Sequence, residues 1–384
     1  EEEDEEEEEE AKADDDAISF ALAFNADQID DDARAALKAV STMKTVMTRR
    51  QLFYSNYWRL VHWKDGKIHS QANQCAAVTR RYSMSNPNLQ QLPKHGEGVA
   101  FRGCFLPHRK DAVVCSIDYS GQELRLAAER SQDKNMLACY IGEHLKDPHS
   151  ITASGAMKMK WGGAAVKELA AKYGSDLIGE DAEYELFLRL RKTPEVKKKA
   201  DDLRKDSKNV NFTAQFGGQA LKASSRLIML PKDAQLFLDA RNEMFPGIVV
   251  AAKKAEDLCK KTGRAYTMMG AIRHLEAGIT SDDRGEAARA ARQAWNMEIQ
   301  GSASEMTKLG VGRLWKSGAL HKYDVKFFAI IHDELVDSVH KDHALEYIRI
   351  KHECMTGPYA NMRVPILGSI SIGPNFKDQI ECGD

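Results

Sequence analysis

The spacing of hydrophobic and polar positions changes several times along the chain, and each change marks an element. Residues 112–117 are apolar and β-prone except for Ser116, which predicts a buried strand. That strand runs out on Asp118. Tyr119 and a small-residue turn, Ser120-Gly121, follow, and Glu123 and Arg125 open a helical pattern that continues to residue 145. Upstream, residues 17–62 read as helices over 17–24, 33–46 and 47–61. Lys64-Asp65-Gly66-Lys67 is a turn signal, and Ile68-His69-Ser70 follows as a short strand. Asp147-Pro148-His149 turns into a helix near 151–159. Residues 232–262 are helical with an interruption at Phe245-Pro246-Gly247, and residues 267–273 read as a hairpin. Residues 284–315 form a long amphipathic helix with Gly301 as a candidate break. Residues 325–340 carry two apolar runs split by His332-Asp333-Glu334, the pattern of a β-hairpin with acids at its tip.

Composition narrows the class. The 384 residues suffice for two or three packed subdomains, and 43% apolar with 29% charged residues is ordinary for a globular chain. No apolar run approaches a membrane span and no signal peptide opens the sequence, so a cytoplasmic location is expected. The seven cysteines are scattered and never form a CxxC pair, which argues against a disulfide framework or a structural zinc site. The net charge of −2 hides an asymmetry. Residues 1–16 hold thirteen acids and one lysine, and the rest of the chain carries 54 bases against 44 acids. The first segment should repel itself and remain disordered, whereas the basic body suits a polyanion such as nucleic acid or is merely a basic surface.

Several positions carry candidate chemistry. A carboxylate at the exit of a buried strand usually needs a cation, and a divalent metal is one solution; a surface Asp capping the next helix is the equal alternative. A hairpin in one sheet with the Asp118 strand would bring Asp333 to Asp118, and two such carboxylates holding two metals about 3.5–4 Å apart make the clamp used for in-line phosphoryl displacement. Nine bases lie between Arg189 and Lys208. They lead into Arg204, Lys208, Phe212 and Phe216, spaced i, i+4 on one helix face, cationic first and aromatic after. A triphosphate followed by a base needs that order, although a core helix with basic flanks also fits. Arg292, Asn296 and Gln300 form a polar row at helical spacing. Residues 79–93 make a proline-punctuated polar loop containing Arg80, Arg81, Asn88 and Gln91, side-chain types that reach phosphates and minor-groove acceptors. Bases among Phe53, Tyr54, Tyr57 and Trp58 suit a nucleic-acid backbone or an amphipathic core helix equally.

These motifs together resemble family A (DNA polymerase I-like) DNA polymerases. Asp118-Tyr-Ser-Gly-Gln-Glu-Leu-Arg125 is similar to motif A, Arg204-x3-Lys208-x2-Asn211-Phe212-x3-Phe216-Gly217 to motif B, and His332-Asp333-Glu334 to motif C. The likeness extends to residues 79–93, to Asp147-Pro148-His149, to Arg292-x3-Asn296-x3-Gln300-Gly301 and to residues 373–379, in the family's order. The resemblance implies an α+β right-hand polymerase: an antiparallel-sheet palm, helical fingers and a short or truncated thumb. It divides the chain into an acidic tail (1–16), a thumb remnant (17–62), palm (63–130 and 284–384) and fingers (131–283). It implies two Mg²⁺ ions, replaceable by Mn²⁺, held by Asp118, Asp333 and the Tyr119 carbonyl. It implies primer–template DNA and deoxynucleoside triphosphates as partners, alongside other replication proteins or a separate N-terminal exonuclease and thumb region. Lys208, Arg204 and His149 would hold the triphosphate, Lys208 would also protonate pyrophosphate, and Phe212 and Phe216 would pack on the nucleotide. Glu123 would exclude a ribose 2′-hydroxyl. Arg81, Asn88, Gln91, Arg292, Asn296, Gln300, His332 and Glu334 would face DNA.

There are departures from the family pattern. Gly121-Gln122 stands where many relatives have Gln-Ile, which resembles phage members more than bacterial ones. Lys205, Thr213 and Phe216 replace the usual Arg, Gly and Tyr of motif B. Fewer than 60 residues precede the palm, so no proofreading exonuclease is expected within this chain. A single-subunit RNA polymerase relative, a phosphohydrolase using His332-Asp333, and a nucleic-acid-binding module with a dead site are the rival readings. Deleting residues 1–16 should tighten DNA binding at low salt, with the gain vanishing at high salt by screening. Titration of labelled duplex at two ionic strengths checks this, and equal low-salt affinity would mean the acidic segment is inert.

Overall fold

A computed structural model describes residue 18, residues 21–22, 29–94, 96–215, 231–359 and 361–383. It divides into two compact units. One comprises residues 1–50, 152–214 and 218–241, the other residues 51–151, 215–217 and 242–384. No helix among the described residues is long and apolar enough to cross a membrane.

The larger unit is built on a five-stranded antiparallel sheet. Two short strands, β1 (Gln71–Asn73) and β2 (Ser83–Ser85), pair separately. The main sheet begins with β3 (Ala112–Tyr119), the buried strand read from the sequence. A further small pair, β4 (Arg264–Tyr266) and β5 (Ile272–His274), frames the expected hairpin around residues 267–271. The C-terminal part supplies β6 (Lys326–Ile331), β7 (Glu334–His340), β8 (Gly368–Gly373) and β9 (Ile380–Gly383). The sheet order is β6-β7-β3-β8-β9, so β3 is central although it comes first in the chain.

Its central place explains its composition. Val114, Cys115 and Ile117 are fully buried, which demands an almost continuous apolar run rather than alternation. Alternate side chains of β3 serve opposite faces. On one face Val114 joins Phe53, Leu89, Leu92, Ala329, Ile331, Val336 and Phe376 in a core cluster. On the other, the helix Ala344–Thr356 packs over Cys115, Leu335 and Asp337. Lys351 of that helix is fully buried. Its ammonium lies 2.9 Å from the Asp337 carboxylate and donates to the carbonyls of Leu335 (2.8 Å) and Cys115 (3.2 Å). The Tyr347 hydroxyl donates to Asp337 at 2.5 Å, so both buried charges are fully partnered.

The smaller unit is helical. Its core joins the helices Pro148–Trp161, Gly163–Tyr173, Ala182–Lys192, Pro194–Gln215 and Pro231–Met244 through Met157, Phe187, Leu190, Leu203, Val210 and Phe237. The helix Asp31–Arg49 starts on Asp30, whose carboxylate accepts from the Ala33 amide at 2.7 Å, and has no buried residue.

Four local expectations are corrected. The helix after Gly121 ends at Ser131 rather than near 145, because Gln132 takes a left-handed φ of 54° and Asp133 caps a new short turn. Residues 47–61 are not one helix but a π-turn, Arg50–Ser55, and a 3₁₀ turn, Tyr57–Leu60. Ile68 makes only an isolated bridge to Val61, and the strand forms three residues later. Gly301 does not break its helix: Met297–Gly301 is a π-turn between Arg284–Asn296 and Ser302–Lys316. Residues 1–16 lie outside the described residues, as does most of the expected helix at 17–24.

Lys351→Ala should cost about 3–5 kcal/mol, because it strands the buried Asp337 charge. Urea unfolding of the metal-free protein measures this, and Lys351→Ala combined with Asp337→Ala should cost less than the two single changes summed.

Candidate active site

Register alone puts an acid cluster at one end of the main sheet. In the β3–β7 ladder Asp118 lies opposite Glu334, and in the β3–β8 ladder it lies opposite Ser369. β6 and β7 are joined by a two-residue turn, His332-Asp333, with His332 at φ 59°. Asp333 therefore stands one residue beyond the Asp118–Glu334 pair. The hairpin with acids at its tip is as the sequence predicted.

The turn leaving β3 is held equally well. Gly121 takes φ 65° with nothing near the position of a Cβ, so backbone conformation rather than space calls for glycine there. The Arg125 guanidinium donates to the Ser120 carbonyl at 2.7 Å and to the Pro365 carbonyl at 2.9 Å. The Tyr119 side chain points into the protein, where its hydroxyl donates to the Met355 carbonyl at 2.9 Å. Glu123, in the first turn of the helix Gln122–Ser131, forms an ion pair with Arg81 of the polar loop. Arg81 and Glu123 are thus brought together, a pairing their separate motifs did not announce.

The electrostatics are those of crowded acids. Burial first, and then the Asp118 charge, push the Asp333 carboxyl up to about 7. Glu334 is 6% exposed and is also raised, by burial and then by Asp118, with Lys94 and Arg102 opposing. Glu123 is raised by burial against the pull of Arg81. Two cations that sequence reasoning missed sit here. The Lys94 ammonium pairs with the Asp118 carboxylate. Arg102, 6% exposed, lies 3.8 Å from Glu334, donates to the Pro93 carbonyl at 2.9 Å and stacks 4.4 Å above the Phe376 ring. Lys94 directly follows the polar loop that drew notice, and nothing in its own neighbourhood of sequence signals a role.

The rest of that loop is braced from below. Asn88 accepts from the Gln90 amide at 3.1 Å, and the Gln90 side chain donates to the carbonyls of Tyr82 (3.0 Å) and Ile330 (3.2 Å). Gln91 is exposed. The row Arg292, Asn296, Gln300 is half-buried, and the π-turn shifts Gln300 off a regular four-residue step. The Asn296 side-chain oxygen is buried without a hydrogen-bond partner among the described residues.

In the smaller unit, the helix Pro194–Gln215 buries Leu203, Ser207 and Val210 and turns Lys208 outward, with Arg204 and Phe212 half-buried. The Lys208 ammonium lies 6.0 Å over the Phe212 ring centroid, so the cationic and aromatic members of the row do share a face. Asn211 is buried and accepts from Thr152 at 3.0 Å. His149, in the larger unit at the start of Pro148–Trp161, is 8% exposed. Phe216 lies outside the described residues.

The donor set at the sheet end consists of hard carboxylate oxygens, and the half-buried Asp333 is short of counter-charge. Both features fit a divalent oxygen-seeking cation, with Asp118 and Asp333 as the residues to hold it.

A sequence profile described as DNA polymerase family A matches residues 24–168 and 186–378. The thermostable DNA polymerase I of Thermus aquaticus is 28% identical over 323 residues, covering 83% of this chain and 33% of that protein. DNA polymerase I of Streptococcus pneumoniae serotype 4 is 28% identical over 313 residues, covering 81% of this chain and 31% of its own. The chain therefore spans about a third of the length of these bacterial relatives. The POL domain of Pol1 from M. smegmatis, solved in complex with DNA primer-template and dNTP, superposes with a TM-score of 0.74 at 24% identity, over 96% of this chain and 57% of that one.

Because a cation must displace the proton that Asp333 holds up to about 7, divalent-metal affinity should rise with pH and level off above 8. Mn²⁺ binding followed by electron paramagnetic resonance should be about tenfold tighter at pH 8 than at pH 6. By the same linkage the metal-free fold should lose stability as pH rises from 4 towards 7, since the unfolded chain releases this proton earlier.

Proposed function

The chain belongs to DNA polymerase family A, and from that membership we propose that it adds deoxynucleotides to a primer 3′-hydroxyl under the direction of a template. The observation that carries the proposal is the antiparallel register that sets Asp118 opposite Glu334 with Asp333 in the adjoining turn. The five-stranded sheet is then the palm, the helical unit carries the fingers, and residues 17–62 are the thumb remnant. The phage-like Gly121-Gln122 turn belongs to this reading as a variant of motif A.

Asp118 and Asp333, with the Tyr119 carbonyl, would hold two Mg²⁺. When bound, the metal supplies a lowered pKa at the primer hydroxyl and neutralises charge on the departing pyrophosphate. The protein's own groups divide the remaining work. Lys94 and Arg102 balance the acids before substrate arrives. Glu123, oriented by its ion pair with Arg81, fills the space that a ribose 2′-hydroxyl would need. Arg204 and Lys208 offer cations to triphosphate oxygens, and His149 takes part in the same binding. Lys208 would also give a proton to pyrophosphate, and Phe212 would offer an apolar face to the sugar. Asn296 has a buried side-chain oxygen free to accept from a partner that DNA or an ordered water can supply. Arg81, Asn296 and Gln300 would read acceptor positions common to all correct pairs in the minor groove. Asn88, Gln91, Arg292, His332 and Glu334 line the DNA side of the site in this reading.

A primer-extension assay with Mg²⁺ tests the proposal directly. Wild type should extend a primer–template with deoxynucleotides, and Asp118→Asn should lower the rate by several kcal/mol of barrier, on the order of a thousandfold. Glu123→Ala should raise ribonucleotide use by about tenfold or more relative to deoxynucleotides. Unchanged sugar selectivity would remove the role given to Glu123, and template-independent phosphate release would point to a hydrolase instead.

A further inference from the structure

A second set of metal-binding side chains stands in the loop between the 3₁₀ turn Tyr57–Leu60 and β1. The loop is closed by its own backbone. Val61 bridges Ile68, the His62 amide donates to the Lys67 carbonyl at 2.8 Å, and the Gly66 amide donates to the His62 carbonyl at 2.9 Å with Gly66 at φ 67°. This closure brings His62, Asp65 and His69 to one spot. His62 Nδ1 lies 3.4 Å from Asp65 Oδ1, and His69 Nε2 lies 2.9 Å from Asp65 Oδ2. The two imidazole rings stand at 90° with centroids 5.5 Å apart, so both ring nitrogens are aimed at the same carboxylate. Among the described residues this is the one group of three His, Cys, Asp or Glu side chains whose ligand atoms all lie within 4.8 Å of one another.

We propose that His62, Asp65 and His69 form a surface site for a zinc-class divalent cation, distinct from the carboxylates at the sheet end. Two imidazole nitrogens and one carboxylate oxygen are a borderline donor set, which favours Zn²⁺, Ni²⁺ or Cu²⁺ over the harder Mg²⁺. The three residues are 46%, 39% and 62% exposed, leaving room for water to complete a tetrahedron. Asp65 is oriented from behind by the Lys67 amide, which donates to Oδ1 at 3.1 Å, the kind of support that fixes a ligating carboxylate. Lys64, the base between these ligands, is drawn away onto the Trp63 ring, 5.2 Å from its centroid. With the backbone already closed, binding has only side-chain rotamers to order. The cysteine pattern could not have revealed this site, because no cysteine takes part.

Isothermal titration of the full chain with Zn²⁺ in excess Mg²⁺ tests the assignment. Wild type should bind one equivalent that His69→Ala and Asp65→Asn each weaken at least tenfold and that Asp118→Asn leaves in place. Exposed Cys75, Cys104 and Cys382 can also take zinc, so Co²⁺ absorption is the second readout. It should show d–d bands without thiolate charge transfer, and those bands should vanish in His69→Ala. All ligands are exposed, so these variants keep the fold, and a thermal melt without metal confirms it. The proposal is overturned if His69→Ala binds as wild type does, if Mg²⁺ abolishes the binding, or if the bound Co²⁺ shows thiolate bands. An isolated Asp65–histidine ion pair that takes up no metal would overturn it as well.

Discussion

The antiparallel pairing of β3 with β7 is the interaction on which the larger unit depends. Seven consecutive residue pairs, from Ala112–His340 to Asp118–Glu334, tie a strand near residue 115 to one near residue 337. Register in such a ladder is all-or-none: a slip of one residue would turn every side chain to the other face. It would take Val114 out of its core cluster and turn Asp118, which shares its face, towards the helix Ala344–Thr356. The apolar faces therefore enforce the position of the acids, and the acids need no mutual attraction to meet. They in fact oppose one another: burial first, and then the Asp118 charge, raise both Asp333 and Glu334. Packing supplies the free energy that holds like charges together, which is how a site with a demand for cations is built.

The middle of the ladder and its acid end manage charge differently. Behind the sheet, Lys351 and Asp337 are fully buried and satisfy each other together with Tyr347 and two backbone carbonyls. That arrangement is closed and has no capacity left for a ligand. At the acid end, Lys94 and Arg102 neutralise only in part, and Lys94 is half-exposed on a flexible stem. A closed network and an open one, a few residues apart on the same two strands, separate structural charge from charge available to chemistry.

Much of this was legible in the residues. The β3 strand and the hairpin at residues 326–340 follow from apolar periodicity, and the shared helix face of Arg204, Lys208 and Phe212 from four-residue spacing, both local properties. The row's last member, Phe216, lies outside the described residues. Local pattern misjudged the places where one backbone dihedral decides the outcome. Gln132 ends a helix by turning left-handed, and a π-turn carries the chain through Gly301 where glycine suggested a break. Neither departure changes side-chain periodicity enough to be read in advance.

The sequence by itself determined which residues could do chemistry, the sign of the charge on each segment and the family to which the chain belongs. It did so because residue type and spacing are written along the chain. Only the tertiary structure decided the partners. Asp118 lies opposite Glu334, Glu123 meets Arg81, and Lys94 meets Asp118, through contacts between distant segments that no local pattern encodes. The His62, Asp65 and His69 cluster shows the same division on a small scale. Its residues are near neighbours in sequence, yet backbone closure of the loop is what aims three side chains at one point. The Asp118 strand could be recognised as a metal-binding candidate from its own residues, but the same residues also suited a helix cap. The ladder sets Asp118 opposite Glu334 with Asp333 in the adjoining turn, and Gly121 rather than Asp118 stands at the cap of the next helix, so the cap reading falls away and the metal-binding one belongs to the proposed function.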